Sequence, residues 1–156
     1  CIVTAMKSLA RSRDASELLR RLRNVRVDSG RRWGRMSAHQ MVCHVADAYR
    51  MALGTKPVND TSTPIQRSML KWLALYAPFP WPGGIPTCPE INQEGEGTRP
   101  LDFATDIAQI ETLVNLVTEG SASLARPHPT LGKMTRAEWL RWGYLHVDHH
   151  LRQFGA

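Results

Sequence analysis

Apolar residues along this chain recur at spacings of three, four and seven and nowhere alternate over any length, so the pattern predicts helices and no strands. Helix one is expected over about 14–25, with Leu18, Leu22 and Val25 on one stripe. Helix two is expected over about 37–53, with Met41, Val45, Ala48 and Ala52 inward and Gly54 as its stop. A long helix should run from 102 to about 124, because Phe103, Ile107, Ile110, Val114 and Val117 keep the seven-residue repeat of a bundle seam. The last helix is expected over about 136–154. Three starts carry one device: Asp14-Ala-Ser-Glu17, Ser37-Ala-His-Gln40 and Thr135-Arg-Ala-Glu138 each read as an N-cap with its partner three residues on. Together these elements predict an all-α fold, an up-and-down four-helix bundle forming a single domain over 1–156. The length, 156 residues, suits one domain able to bury roughly 68–70% of its unfolded surface. Residues 1–6 are expected to be extraneous or disordered, since Met6-Lys-Ser-Leu9 reads as a natural start.

Residues 55–101 break the pattern and read as a long Pro-rich excursion carrying a short extra helix. Thr63-Pro64 opens that helix, which ends near 77 and carries Met69, Leu70, Trp72, Leu73, Leu75 and Tyr76. Pro78-Phe-Pro-Trp-Pro-Gly-Gly-Ile-Pro-Thr-Cys-Pro89 follows, and its five prolines and two glycines forbid regular structure. A loop this long inside a compact domain is as a rule functional or disordered. Its aromatic residues imply packing, either as a plain cover for one end of the bundle or as the wall of a pocket. Trp72 and Trp81 are the candidate pocket residues there.

Composition adds exclusions. Hydrophobic content of 42% and charged content of 22% are ordinary for a globular chain. The longest apolar stretch, 69–81, is interrupted by Lys71, Pro78 and Pro80, so no membrane-spanning helix is expected. No charged-then-apolar leader pattern opens the chain, and a cytoplasmic location is the default expectation. The cysteines are Cys1, Cys43 and Cys88; an odd count without C-x-x-C argues against a disulfide framework or a cysteine-rich zinc site. Cys43 points about 100° away from His44 around a helix and reads as a small core residue. The net charge of +6 is uneven: residues 1–35 hold ten Lys/Arg against Asp14, Glu17 and Asp28. No aromatic residue interleaves with these charges before Trp33, so they read as a solvated helix face rather than a nucleic-acid footprint. A mitochondrial presequence fits in composition, but Asp14 and Glu17 weigh against it.

The chemistry sits in the histidines. His146 and His150 are four apart on the last helix and diverge by only about 40°, so both can reach one metal ion. Trp139, Trp142, Gln153 and, at its edge, His149 share that face, while Arg141, Asp148 and Arg152 lie opposite. An isolated pair of this kind is more often two core histidines held by hydrogen bonds. His44 changes the balance, because it falls on the inward stripe of helix two, one turn from Met41 and Ala48. Three imidazoles buried together need partners, and one ion supplies a partner to all three. This is not the H-E-x-x-H pattern of metalloproteases, since Val147 stands where the glutamate base would be. Gln40 and Asp47 flank His44 and are candidates for outer support, and Gln153, on the histidine face of the last helix, is a further outer-support or pocket candidate. His149 and Asp47 are the candidate catalytic side chains, and Trp142 is a further pocket candidate.

The run Arg31-Arg-Trp-Gly-Arg-Met-Ser-Ala-His-Gln-Met-Val-Cys-His44-Val-Ala-Asp47 resembles a subfamily of the DinB/YfiT-like proteins. So do His128-Pro-Thr-Leu-Gly-Lys-Met-Thr-Arg-Ala-Glu-Trp139, the Pro-Trp-Pro and Pro-Thr-Cys-Pro-Glu pieces, and His146-Val-Asp-His-His150-Leu-Arg-Gln-Phe-Gly155. The likeness covers about residues 7–155. It implies a four-helix bundle whose zinc or nickel ion is held by one histidine of the second helix and two of the last, here His44, His146 and His150. Some members of that superfamily use a small thiol such as bacillithiol or mycothiol in transferase or isomerase reactions; many have no assigned activity.

Three functions follow in order of expectation. The first is a divalent-metal enzyme, acting by thiol activation with a low-molecular-weight thiol cosubstrate, or by hydrolysis. The missing glutamate favours the thiol. The second is a non-catalytic, metal-stabilised binding or stress protein, and the third a weak DNA-binding protein. The partner is expected to be a small molecule, not a membrane or nucleic acid, with a homodimer left open.

Overall fold

The computed structural model describes residues 6–124 and 126–156; of the segment 1–6 expected to be extraneous or disordered, only Met6, exposed and outside any helix, falls among them. Among the described residues five α-helices follow one another: α1 (Ser12–Arg23), α2 (Ala38–Leu53), α3 (Pro64–Tyr76), α4 (Phe103–Thr118) and α5 (Arg136–Gln153), with a 3-10 turn at Pro89–Ile91. Among the described residues there is no strand, only an isolated bridge between His128 and Gly132. The architecture is an all-α up-and-down bundle of α1, α2, α4 and α5, with α3 riding on α5 as the short helix of the excursion. No helix of the described residues is long and apolar enough to cross a membrane.

Capping explains the firm starts. Ser37 and Thr135 each accept from the backbone of the residue three on, and Gln40 and Glu138 reach back to the cap. Thr63 and Gln66 make the same box at the head of α3, a Thr-x-x-Gln match that the sequence displays as openly as the other two. Gly54 ends α2 at φ 76°, a left-handed conformation that favours glycine.

Two boundaries differ from expectation. Asp14 is not an N-cap: α1 starts two residues earlier, behind Arg11, and Asp14 is buried in the first turn. Its carboxylate accepts from the Ser8 backbone N–H at 3.0 Å and from Arg11 Nε at 2.8 Å, so it ties down the incoming chain. The seam helix α4 ends at Thr118, not near Leu124. The Arg136 guanidinium, at the head of α5, donates to the carbonyls of Val117 (2.9 Å) and Ala122 (3.0 Å). A cation from another helix thus satisfies the free carbonyls, which the local pattern of α4 could not reveal.

Every residue from Met41 to Tyr49 is buried, so α2 is enclosed on all sides. Helices α4 and α5 cover two of them, and the returning excursion covers a third. That third face carries Asp47, fully buried, which accepts from Lys56 Nζ (2.8 Å), the Thr98 backbone N–H (2.7 Å), Thr98 Oγ1 (2.7 Å) and Arg50 Nη1 (3.0 Å). The face of α5 opposite the histidines is likewise occupied: Arg21 pairs with Asp148 at 2.6 Å, and Arg141 Nη1 donates to the Lys7 carbonyl at 2.7 Å.

The turn before α5 is built on His128, which is buried between Trp139 and Trp142. Its Nδ1 accepts from the backbone N–H groups of Thr130 (3.1 Å) and Leu131 (3.2 Å). Burial pushes its pKa down to about 4. An unfolded histidine titrates near 6.5, so this term of stability is complete above about pH 6.5 and is lost as pH falls towards 4, about 3 kcal/mol in all. In His128→Asn the amide oxygen can take the place of Nδ1 while nothing titrates. Urea unfolding of the metal-free variant should therefore show a shallower loss of stability over that window than wild type; an equal slope would remove His128 from the account.

Candidate metal centre

Helices α2 and α5 bring three histidines together between them. His44 comes from α2, and His146 and His150 lie one turn apart on α5; all three are buried and their ligand atoms lie within 4.8 Å of one another. The rings stand edge to face, with centroids 4.8 to 5.1 Å apart. His44 Nε2 and His146 Nε2 are 3.2 Å apart. Two nitrogens bound at about 2.0–2.1 Å to one tetrahedral ion would stand about 3.3 Å apart, so the spacing fits.

The outer contacts settle the tautomers of His44 and His150. His44 Nδ1 is 2.8 Å from the Ile91 carbonyl, which can only accept, so Nδ1 carries the proton and Nε2 keeps its lone pair. The 3-10 turn that presents Ile91 is therefore part of the site. His150 Nδ1 is 2.9 Å from Gln153 Oε1, and Gln153 Nε2 in turn donates to the Trp33 carbonyl at 2.9 Å. The Trp33 carbonyl fixes which end of the amide faces His150, and so leaves His150 Nε2 free as a donor to metal. Gly34 makes this approach possible: its φ is +76°, and a Cβ there would fall 2.6 Å from Gln153 Nε2. Trp142 stacks flat on His146, with centroids 4.9 Å apart and planes 8° apart, and Trp81 stands 6.2 Å from the same ring.

Burial pushes all three imidazole pKa values down, and their neighbouring histidines push His146 and His150 further. Three neutral imidazoles hold no protons for an ion to displace near neutral pH. The donor set and its spacing fit one divalent cation.

A cavity of about 580 Å³ opens at this point, lined by His44, His149, His150, Gln153 and Gln40, by Trp33 to Met36, and by Gly84 to Thr87 and Asn92 to Glu94 of the excursion. The proline-rich segment thus forms part of a wall. Arg35 and Glu94 pair across the rim at 3.3 Å. His149 stands tilted against Trp33 and Trp81, its pKa is lowered chiefly by burial, and its Nδ1 has no partner among the described residues.

The other expected residues fall into different places. Gln40 reaches the cavity, but its Oε1 accepts from the Ser37 N–H in the capping box. Trp81 touches the histidines from the side, and its Nε1 donates to the Ala74 carbonyl at 2.8 Å. Trp142 lies beneath His146 and does not line the cavity, and Trp72 is exposed on the outer side of α3. Asp47 is not brought to the three histidines; its lone pairs hold Lys56, Arg50 and Thr98.

Sequence reasoning missed Trp33, Gln93 and a second cluster. Gln93 is buried against the cavity with both amide atoms unpartnered among the described residues. Only the Gly- and Asn-containing turn around it hinted at a special backbone. His39, Cys43 and Asp106 form a second group that could hold a metal ion. There His39 Nε2 is 2.7 Å, and Cys43 Sγ 3.7 Å, from Asp106 Oδ2. The four-residue spacing of His39 and Cys43 was visible; the approach of Asp106 from α4 was not. Cys43 is buried, as a core residue should be, and its thiol pKa is pushed up to about 12, first by burial and then by Asp106.

A family model described as a protein of unknown function, DUF1569, matches residues 9–156. No curated protein and no solved structure matches the chain.

Two substitutions separate the roles of these residues. Gln153→Leu removes the acceptor that fixes His150 and should weaken zinc binding roughly 10- to 100-fold, read by competition with a chromophoric chelator. Asp47→Ala removes the fully buried acceptor shared by Lys56, Arg50 and Thr98 and should cost about 3 kcal/mol in chemical denaturation while shifting zinc affinity little. A variant with normal stability and lost affinity would instead place Asp47 in the metal centre.

Proposed function

We propose that this chain, which belongs to the DUF1569 family, is a divalent-metal enzyme that activates a low-molecular-weight thiol for transfer to a small electrophile, with hydrolysis as the second chemistry. One observation carries this reading. Among the described residues the histidine group offers three donors and no fourth His, Cys, Asp or Glu, while two of the three, His44 and His150, line a cavity large enough for a small molecule. A bound divalent ion would supply Lewis acidity to a thiol or a water molecule, lowering its pKa. Zinc and nickel both suit imidazole donors, and both are the ions that the DinB/YfiT-like resemblance implies. The same resemblance implies a thiol of the bacillithiol or mycothiol kind.

The residues around the cavity favour the thiol over water. Glu94 is the one carboxylate among the lining residues; it is exposed and paired with Arg35 at the rim. Hydrolysis would ask for a base placed against the attacking water, and Glu94 is not so held. A thiol bound to the ion as its thiolate needs no protein base held against it, and neutral His149, which lines the cavity, is the group we assign to carry the released proton. Trp33, Ile85 and Pro86 give an apolar wall that strengthens electrostatic effects inside.

Nucleic acid is not the partner we propose. Of the ten basic residues in 1–35, Lys7, Arg11, Arg21, Arg23, Arg26 and Arg35 are engaged in ion pairs with acids of the same chain. Such pairing depletes the field that a phosphate backbone would meet.

Elemental analysis of protein prepared without an affinity tag should give one zinc or nickel per chain in wild type and none in His146→Ala. Metal-loaded wild type should consume a small thiol with an electrophile, and His146→Ala should not. A spectrum of the cobalt-substituted protein showing four protein ligands around the ion would make the site structural and sink the enzyme reading.

A further inference from the structure

Helix α3 is amphipathic in an unusual sense: one side is packed and the other is apolar yet bare. Its inner side carries Leu75, fully buried, with Leu70 and Ala74 half-buried against the core. Its outer side presents Ile65, Met69, Trp72, Leu73 and Tyr76, spaced four, three, one and three apart, with Phe79 just beyond the helix end. At 100° per residue the five helical positions fall within about 100° of arc, the width of a packing stripe. These six side chains are between 43% and 88% exposed. Among the described residues no charged residue lies within the stripe; at its edge the Tyr76 hydroxyl donates to the Glu138 carboxylate of α5 at 3.2 Å. The nearest cations are turned inward and paired, Arg67 with Asp60 at 2.7 Å and Lys71 with Glu138 at 3.2 Å.

We propose that this stripe is the interface of a symmetric homodimer in which α3 packs antiparallel on α3 of a second copy. Area is the first reason. The six side chains expose on the order of 700 Å², close to the roughly 800 Å² per partner of a stable interface and more than the 300–600 Å² of the largest patch on a typical monomer. Shape is the second. The bulk is graded along the helix, slim at Ile65 and Met69 and wide at Trp72, Tyr76 and Phe79. A two-fold axis across the helix, near residues 70 and 71, sets Ile65 against Tyr76 and Met69 against Trp72. Slim then meets wide along the whole contact and the helices keep an even spacing. A parallel pair would set Trp72 on Trp72 and splay the helices apart. The antiparallel pair also opposes the helix dipoles. Finally, the stripe is uncharged and self-complementary, so it needs no partner of different chemistry.

Sedimentation velocity over a concentration series tests the pairing. Wild type should run at twice the chain mass of 17.6 kDa. The doubly substituted Met69→Glu/Trp72→Glu should run at the single chain mass with an unchanged far-UV circular dichroism spectrum, since both side chains project outward. A wild type that stays at the single mass throughout, whether or not it binds anionic vesicles, overturns the proposal. So does a double mass that survives both substitutions. Direction is tested by oxidation in a Cys1→Ser background. A mixture of Ile65→Cys and Tyr76→Cys chains should form a mixed disulfide, and Ile65→Cys alone should not. A disulfide in Ile65→Cys alone overturns the antiparallel arrangement.

Discussion

Three neutral imidazoles buried between two helices are the constraint on which the rest of this structure turns. Each ring brings an N–H that must be met, and a misplaced partner would turn a ligand nitrogen outward. The Ile91 carbonyl meets that of His44, and Gln153, steadied by the Trp33 carbonyl, meets that of His150. Those partners come from the excursion and from the segment before α2. Both segments must therefore close over the histidines before the donors point at a common centre.

That requirement accounts for the clasps elsewhere. Asp47, at the far side of α2, gathers Lys56 and Thr98, the two ends of the excursion, onto one carboxylate. The pairing of both termini with a single buried acid shortens the loop that 57–97 must close and holds the Pro89–Ile91 turn against His44. Its pKa is pulled down by Lys56 and Thr98 in spite of burial, which favours the ionised form that makes the clasp. Gly34 plays the matching part on the other side, because only a residue without Cβ lets the chain pass so near Gln153.

The excursion thus serves two surfaces at once. Its second half, Gly84–Thr87 and Asn92–Glu94, walls the cavity above the histidines, while α3 rests one side on α5 and turns an apolar side outward. Trp81 links them, since its ring stands against His146 and His149 and its N–H is given to Ala74 of α3. A displacement of α3 would be felt at the histidines through that indole as well as through α5 itself.

Local sequence determined the helices, because a cap, a helical period and a glycine stop act within a few residues of one another: α2, α3 and α5 begin or end where Ser37, Thr63, Thr135 and Gly54 dictate. It also put His146 and His150 on one face, a matter of 3.6 residues per turn. Where it misled, a distant partner intervened: Asp14 turned to Ser8 and Arg11, and α4 stopped where Arg136 could take its carbonyls. The metal donors His44, His146 and His150 could be named from the pattern, but not the tautomers of His44 and His150, since the Ile91 carbonyl lies 47 residues from His44 and the Trp33 carbonyl 120 from Gln153. The cavity, the free amide of Gln93 and the idle Nδ1 of His149 were likewise invisible, because whether a polar atom is satisfied depends on what the fold brings beside it. Periodicity says which way a side chain points; only the packed chain says what it meets.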